Sequence, residues 1–379
     1  MSALAGLLVL DFTRHLPGPW VGQLLADFGA TVVKVEDRAG DPVRHLPPFD
    51  AAGTSVAFGT LNSGKQSLGI DLKHPEGKDV ALRLASQADV LLDGFRPGVL
   101  DRLGLGFDAV HARNRGIVYA SLSGFGASGP YATRAGHDLN YEALAGALAH
   151  APPGAPSLQL ADMSGALALA NGVLLALVAR ARSGEGQRVA TSLFGATVAL
   201  QPFTITAAAR GETSAAAEAL DGRSPCYRTY ATRDGRTVAL AALEPQFWES
   251  FCGILDRPDW LSRHYDPSLV PELERLFASK SLDEWRLLED SECCLTAVSR
   301  PEEVARDPQV EASQLIVRDE TGRAVRLGPP CALSGTPARP GTRAPARGVD
   351  TVAVLQERLG LDETKVRSLL AGGAIFQAT

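Results

Sequence analysis

Three short stretches hold side chains that can move protons. The first, AGHDLNY at residues 135–141, sets His137 and Asp138 side by side after a loop ending GPYATR, at the mouth of an apolar, small-residue helical pattern. A helix start presents backbone N–H groups and partial positive charge, so an anion or a developing oxyanion is favoured there. The second, LQLADMSG, ends a short apolar stretch on Asp162, which opens another apolar helical run. The third is Glu244, just past a strand pattern in TVALAALEPQF. A histidine and carboxylic acids at element ends far apart in sequence are the material of a general acid–base site. Each also has an ordinary structural reading, Asp138 as an N-cap and His137 as a loop residue. Spacing does not show that they meet.

The elements that must position them begin with LLVLDF at residues 7–12, a continuous apolar strand. Pro17, Gly18 and Pro19 then open a helix over about 20–28, and ATVVKVE at 30–36 is a second strand. That order is a βαβ unit and implies a parallel sheet with right-handed crossovers. Further strands are expected at 67–72, in ADVLLDGF and in GIVYASLSGFG, with a helix in HPEGKDVALRLASQ, so the N-terminal half reads as an α/β sheet domain. The turn after the first strand, TRHLPGP, lacks the glycine fingerprint of a dinucleotide site. GFGASG at 124–129 spells it, but Pro130 and Tyr131 stand where the helix should begin, so it reads as a turn leading to the His-Asp pair. A Pro-rich loop is expected at 151–157, a buried helix at 166–179, and a strand that turns helical in GQRVATSLFGATVAL. An Ala- and Glu-rich stretch with little periodicity reads as a linker over 207–221. Beyond it, a hairpin turning at Asp234 and Gly235, amphipathic helical segments and the strand-like CCLTAV make a smaller α/β domain. IVRDETGRAVRLGPP is a second hairpin pattern, and TVAVLQERLGLDETKVRSLLAGG is a helix pair able to return to the first domain.

At 379 residues the chain suits about two domains. A hydrophobic fraction of 45%, a charged fraction of 21% and a net charge of −6 describe a soluble globular protein and argue against partners such as nucleic acid or an anionic membrane. A polyanionic ligand therefore needs a local basic cluster. Arg38, Arg44, Lys65, Lys73, Arg96, Arg102 and Arg134 supply one, all beside strand ends or loops of the first domain, where an open parallel sheet binds ligands. Each is individually also a surface charge. Cys226, Cys252, Cys293, Cys294 and Cys331 have no metal-binding spacing, and no metal is expected. Their odd number, with no secretory leader in MSALAGLLVLDF, points to reduced thiols and a cytoplasmic protein. The most apolar run, 166–179, is shorter than the roughly 20 residues that a bilayer requires.

Read together, the motifs resemble the type III coenzyme A transferase superfamily, of CaiB/BaiF type, and within it the α-methylacyl-CoA racemases. VLDFTRHLPGPWVGQLLADFGATVVKVE, SLGIDLKHPEG, ADVLLDGFRPGVLDRLGL and VYASLSGFGASGP are similar to the superfamily's motifs in the expected order, and VLQERLGLDETKVRSLLAGG to its C-terminal part. GHDLNY and LDGRSPCYRTYATRDGRTVALAALEPQFW lean toward the racemases, since transferases of the group typically lack the glutamate that falls at Glu244 and many lack the histidine at His137. Two departures touch the acyl pocket: ADMSGA stands where racemases carry a Gly-rich GDFGGG, and Arg223 replaces the second glycine of LDGG.

The resemblance implies an α/β protein with a large Rossmann-like parallel-sheet domain built from 1–206 and 320–379, the linker at 207–221, and an inserted smaller α/β domain at 222–319. It implies an interlocked homodimer, with each active site between one subunit's large domain and its partner's small domain. The CoA moiety, which enters as part of an acyl-CoA thioester substrate and not as a separate cofactor, is expected at Arg38, Ile70, Asp71, Leu72, Lys73, Arg96, Arg102, Arg134 and Gly136. His137 and Asp162 are the two bases implied, on opposite faces of the α-carbon, with Glu244 orienting the imidazole and the backbone at Asp138 facing the enolate oxygen. As an alternative, a transferase would use Asp162 as a nucleophile, through a mixed anhydride and then an aspartyl-CoA thioester. A catalytically inert CoA-binding scaffold is the third reading.

Overall fold

The computed structural model describes residues 2–149, 158–289 and 291–378, so the Pro-rich loop expected at 151–157 lies outside the described residues. The chain divides into two compact units: Met1–Leu200 with Gln309–Thr379, and Gln201–Pro308.

The first unit carries strands β1 (Leu8–Asp11), β2 (Thr31–Glu36), β3 (Gln66–Ile70), β4 (Val90–Asp93), β5 (Val118–Ser123) and β6 (Gln187–Ser192). They form a parallel sheet in the order β3-β2-β1-β4-β5-β6. The chain winds outward from β1 in one direction and then returns to wind outward in the other. Between them run α1 (Pro17–Asp27), α2 (Val56–Asn62), α3 (Pro75–Ala85), α4 (Val99–Arg102), α5 (Phe107–His111), α6 (Asp138–Leu144), α7 (Leu160–Ser183) and α8 (Leu193–Ala199). Both sheet faces are covered, which is why the central strands read as nearly continuous apolar runs. Alternation survives within them: Leu8 and Leu10 pack in the core that contains Leu84 of α3, and Val9 in the core that contains Val21 of α1 and Leu169 of α7.

α7 differs from its expectation. It spans 24 residues and is long and apolar enough, by length and composition alone, to cross a membrane. One face packs on β5, β6 and α1, burying Gly165, Leu169 and Val173. The opposite face leaves Leu167, Leu174, Leu175 and Val178 between 39% and 70% exposed, so the helix is buried on one side only.

The segment that returns after the second unit closes the sheet. β7 (Tyr227–Ala231), β8 (Thr237–Ala241) and β9 (Leu295–Ala297) belong to the second unit, β10 (Ile316–Arg318) and β11 (Ala324–Leu327) form the second hairpin, and β12 (Ile375–Phe376) adds antiparallel to β3. The hairpin belongs to the first unit: buried Arg326 donates to the Asp27 carboxylate at 3.0 Å, and the Arg339 N–H reaches the Asp27 carbonyl at 2.7 Å. Residues 309–319 therefore join the first unit instead of the small domain.

The second unit pairs the antiparallel β7-β8-β9 sheet with a core of Trp248, Trp260, Trp285, Phe251 and Phe277. The indole N–H groups of Trp248 and Trp285 are satisfied by the carbonyls of Trp260 and Phe277, at 3.0 and 3.1 Å. The stretch expected as a linker is instead helical, over Pro202–Ala209 and Ala215–Leu220. Alanine favours helix without any apolar periodicity, and neither helix buries a residue.

Candidate active site

All six parallel strands end at one edge of the sheet, and the direction of winding reverses between β1 and β4. Ligands in such sheets bind outside the carboxyl ends at that reversal. A cleft of about 380 Å³ lies there, lined by Thr13 and His15 after β1, Arg96 after β4, and His137 and Asp162. Asp138, Arg134, Gly136 and Tyr141 also line it.

The loop after β1 rests on a buried polar framework. Lys65 pairs with Asp11 at 2.8 Å and Lys34 with Asp41 at 2.9 Å, all four side chains fully buried. Lys34 also donates to the Thr13 carbonyl at 2.9 Å. Burial pushes the Lys65 ammonium down to about 8, against the pull of Asp11. Arg44 is equally committed, in an ion pair with Glu36 at 2.6 Å and stacked over the Phe58 ring. Arg44 and Lys65 thus leave the set of basic residues available to a ligand. On this framework His15 adopts a left-handed backbone (φ 67°), its N–H donating to Asp41 at 3.2 Å. Such a conformation in a non-glycine residue is costly and is held by its surroundings. Behind the loop that carries Arg96, Asp93 ends β4 and accepts from the Phe95 N–H at 2.9 Å and the Tyr119 hydroxyl at 3.1 Å. Burial pushes the Asp93 carboxyl up to about 6.

His137 and Asp138 open α6, and Asp162 stands in the first turn of α7. The Asn140 side chain accepts from the His137 N–H at 3.0 Å, and the Tyr141 hydroxyl donates to the Gly136 carbonyl at 2.6 Å. A Cβ at Gly124 or Gly136 would lie within 3 Å of the Tyr141 side chain, so both glycines are needed for this close approach. The Asp138 carboxylate accepts from the Asp162 N–H at 2.9 Å, joining the two helix starts. Asp162 is half-buried. Burial first, then the neighbouring Asp138 charge, push its carboxyl up to about 6, with His137 opposing. Burial and the Asp162 charge also push the Tyr141 phenol upward.

His137, Asp138, Asp162, Arg96, Arg134 and Gly136 therefore meet in one cleft. Arg38, Lys73 and Arg102 are exposed at the same strand edge but outside that cleft. The Ile70 side chain is fully buried opposite Ile375, so only its backbone is available to a ligand. Asp71 and Leu72 are half-buried, and Asp71 accepts from the Lys73 N–H at 2.8 Å. Glu244 is exposed in the second unit, at the N-cap of the helix Pro245–Ile254. Sequence reasoning missed Thr13, His15, Asp93 and Glu142. The rule placing ligands at strand ends would have pointed to TRHLPGP, where only the glycine fingerprint was sought.

A doubly wound sheet with an acid–base pair and arginines at its reversal point defines an enzyme that handles an anionic ligand through proton or acyl chemistry. Comparison with known proteins narrows the class. The chain belongs to CoA-transferase family III, whose model matches residues 4–351. It is 36% identical to the human alpha-methylacyl-CoA racemase, over 94% of this chain and 93% of that one. It is 30% identical to a succinyl-CoA:mesaconate CoA-transferase of Haloarcula hispanica, over 97% of this chain and all of that one. A crystal structure of a CaiB/BaiF family protein from Brucella suis superposes with a TM-score of 0.80 at 27% identity, covering 94% of this chain and 99% of that chain.

Proposed function

We propose that the protein is a racemase or epimerase of 2-methylacyl-CoA thioesters, acting by proton transfer through an enolate. The observation that supports this reading is the meeting of His137 and Asp162 in one cleft, with the Asp162 proton affinity raised toward neutrality. A thioester α-proton leaves only if a base is matched to it and the developing oxyanion is stabilised. His137 takes the proton from one enantiomer and protonated Asp162 returns one to the opposite face; for the other enantiomer the roles reverse. A carboxyl titrating near 6 holds a usable fraction of both forms at neutral pH, which an ordinary aspartate does not. The backbone N–H groups at the start of α6 face the enolate oxygen, and Arg96 and Arg134 hold anionic parts of the CoA moiety. The enzyme works in the cytoplasm as a homodimer; the exposed apolar face of α7 supports the homodimer.

The deciding experiment incubates a single enantiomer of a 2-methylacyl-CoA in deuterated water without an acceptor acid. Deuterium should enter the α-position, with no free acid released. His137→Ala and Asp162→Asn should each lower inversion by about 10²-fold or more, the scale of general acid–base catalysis. Transfer of CoA to an added acid with an unexchanged α-proton, undiminished in His137→Ala, would assign the transferase reaction instead.

A further inference from the structure

Glu142 is 1% exposed, though nothing in the acid–base reaction calls for it. It lies one turn after Asp138 on α6, so the two carboxyl groups share a face. Its Oε1 accepts from the Leu160 N–H at 3.2 Å, while Asp138 accepts from the Asp162 N–H at 2.9 Å. The N-cap of α7, Gln159, makes no side-chain cap of its own. The first N–H groups of a helix have no partner within it, and α6 supplies acceptors for two of them here. Burial first, then the hydrogen bond to the half-buried Asp138 and its charge, push the Glu142 carboxyl upward.

We propose that Glu142 is a positioning residue for Asp162. With Asp138 it ties the first turn of α7 to the first turn of α6, so the two proton-transfer groups at these helix starts hold a fixed separation. The side-chain hydrogen bond between Glu142 and Asp138 keeps Asp138 oriented on the Asp162 backbone. The inference rests on the racemase reading for its kinetic signature, and on the hydrogen bonds alone for its structural one.

The test compares Glu142→Gln, Glu142→Leu and Glu142→Asp in the full chain. Gln keeps the length and the hydrogen-bonding atoms. Leu fills the space without polar atoms, and Asp keeps the acid but shortens its reach. Hydrogen exchange read by mass spectrometry should show protection at residues 160–162 lost in the Leu and Asp variants and kept in Gln. Washout of the α-proton is then followed separately from each enantiomer of a 2-methylacyl-CoA. For the enantiomer whose washout depends on Asp162, identified with Asp162→Asn, the Leu and Asp variants should be slower by about 10-fold or more, the cost of a misplaced catalytic group. The other enantiomer and KM should change little, and Gln should rescue. Unchanged protection at 160–162 in the Leu and Asp variants overturns the proposal. So does an equal loss for both enantiomers without rescue by Gln, which marks general damage. If the wild type washes out no α-proton, the racemase reading falls, and amide protection still decides the role of Glu142. Should the Leu variant not fold, the Asp and Gln pair carries the same comparison.

Discussion

Asp162 occupies a place where opposing forces can be ranked. The first turn of a helix favours a carboxylate by a few tenths to about 1 kcal/mol. Burial and the Asp138 charge outweigh that and lift the carboxyl to about 6. Because the folded-state value lies above the unfolded one, the site's contribution to stability is fully present below about pH 4 and lost as pH rises through 6. Asp162→Asn should therefore raise the melting temperature at pH 7–8 and leave it unchanged near pH 4. After allowance for the half-exposed carboxyl, the gain corresponds to about 1–2 kcal/mol. Calorimetry of both proteins at the two pH values checks this, and a variant no more stable at pH 8 contradicts the raised proton affinity. His137 and Asp162 were legible in sequence because each stands where an apolar helical pattern begins. Glu142 was not, since a lone glutamate inside a helical pattern reads as a solvated one. Its burial depends on α7 packing against α6.

At the scale of elements, the site depends on close approaches that small residues permit. Gly124→Ala places a methyl group against the Tyr141 hydroxyl, so it should displace Tyr141 and the α6 start together. Overpacking of this kind costs about 1–3 kcal/mol. The expected result is a loss of turnover larger than the loss of stability, measured as kcat against urea midpoint, with Tyr141→Phe as the control that removes only the hydroxyl. The return of the chain depends on another local contact, the buried Arg326–Asp27 pair. Arg326→Ala strands the Asp27 carboxylate and should cost about 3–5 kcal/mol, whereas replacing both partners with apolar residues should cost far less. Denaturant titration of the single and double variants separates the two outcomes. The parallel sheet was legible because its strands are apolar runs alternating with helical patterns. The roles of Arg44 and Lys65 were not, because an ion pair formed across neighbouring loops and strands, like Arg44–Glu36 and Lys65–Asp11, leaves no periodic trace. The helical stretches within 207–221 were read as a linker for want of an apolar stripe.

For the whole molecule, the proposed homodimer predicts sedimentation at nanomolar concentration near twice the 39.9 kDa chain mass. Leu175→Asp, on the open face of α7, should shift the protein toward monomer or aggregate, and an unchanged, active monomeric wild type contradicts the assembly. The two-unit division was legible in outline from the change of composition after about residue 207. Its boundaries were not, since the second hairpin is assigned by Arg326, whose partner Asp27 lies near the beginning of the sequence. β12 gives this arrangement a consequence in time. Ile375 and Phe376 pair with Ile70 and Gly69, so the β3 edge of the sheet is capped by residues synthesised long after β3 itself. Throughout synthesis of the intervening chain, that edge stays open as a template for any extended peptide nearby. A nascent chain halted before residue 375 should be more dependent on a holding chaperone than one in which residues 375–376 have emerged and paired with β3.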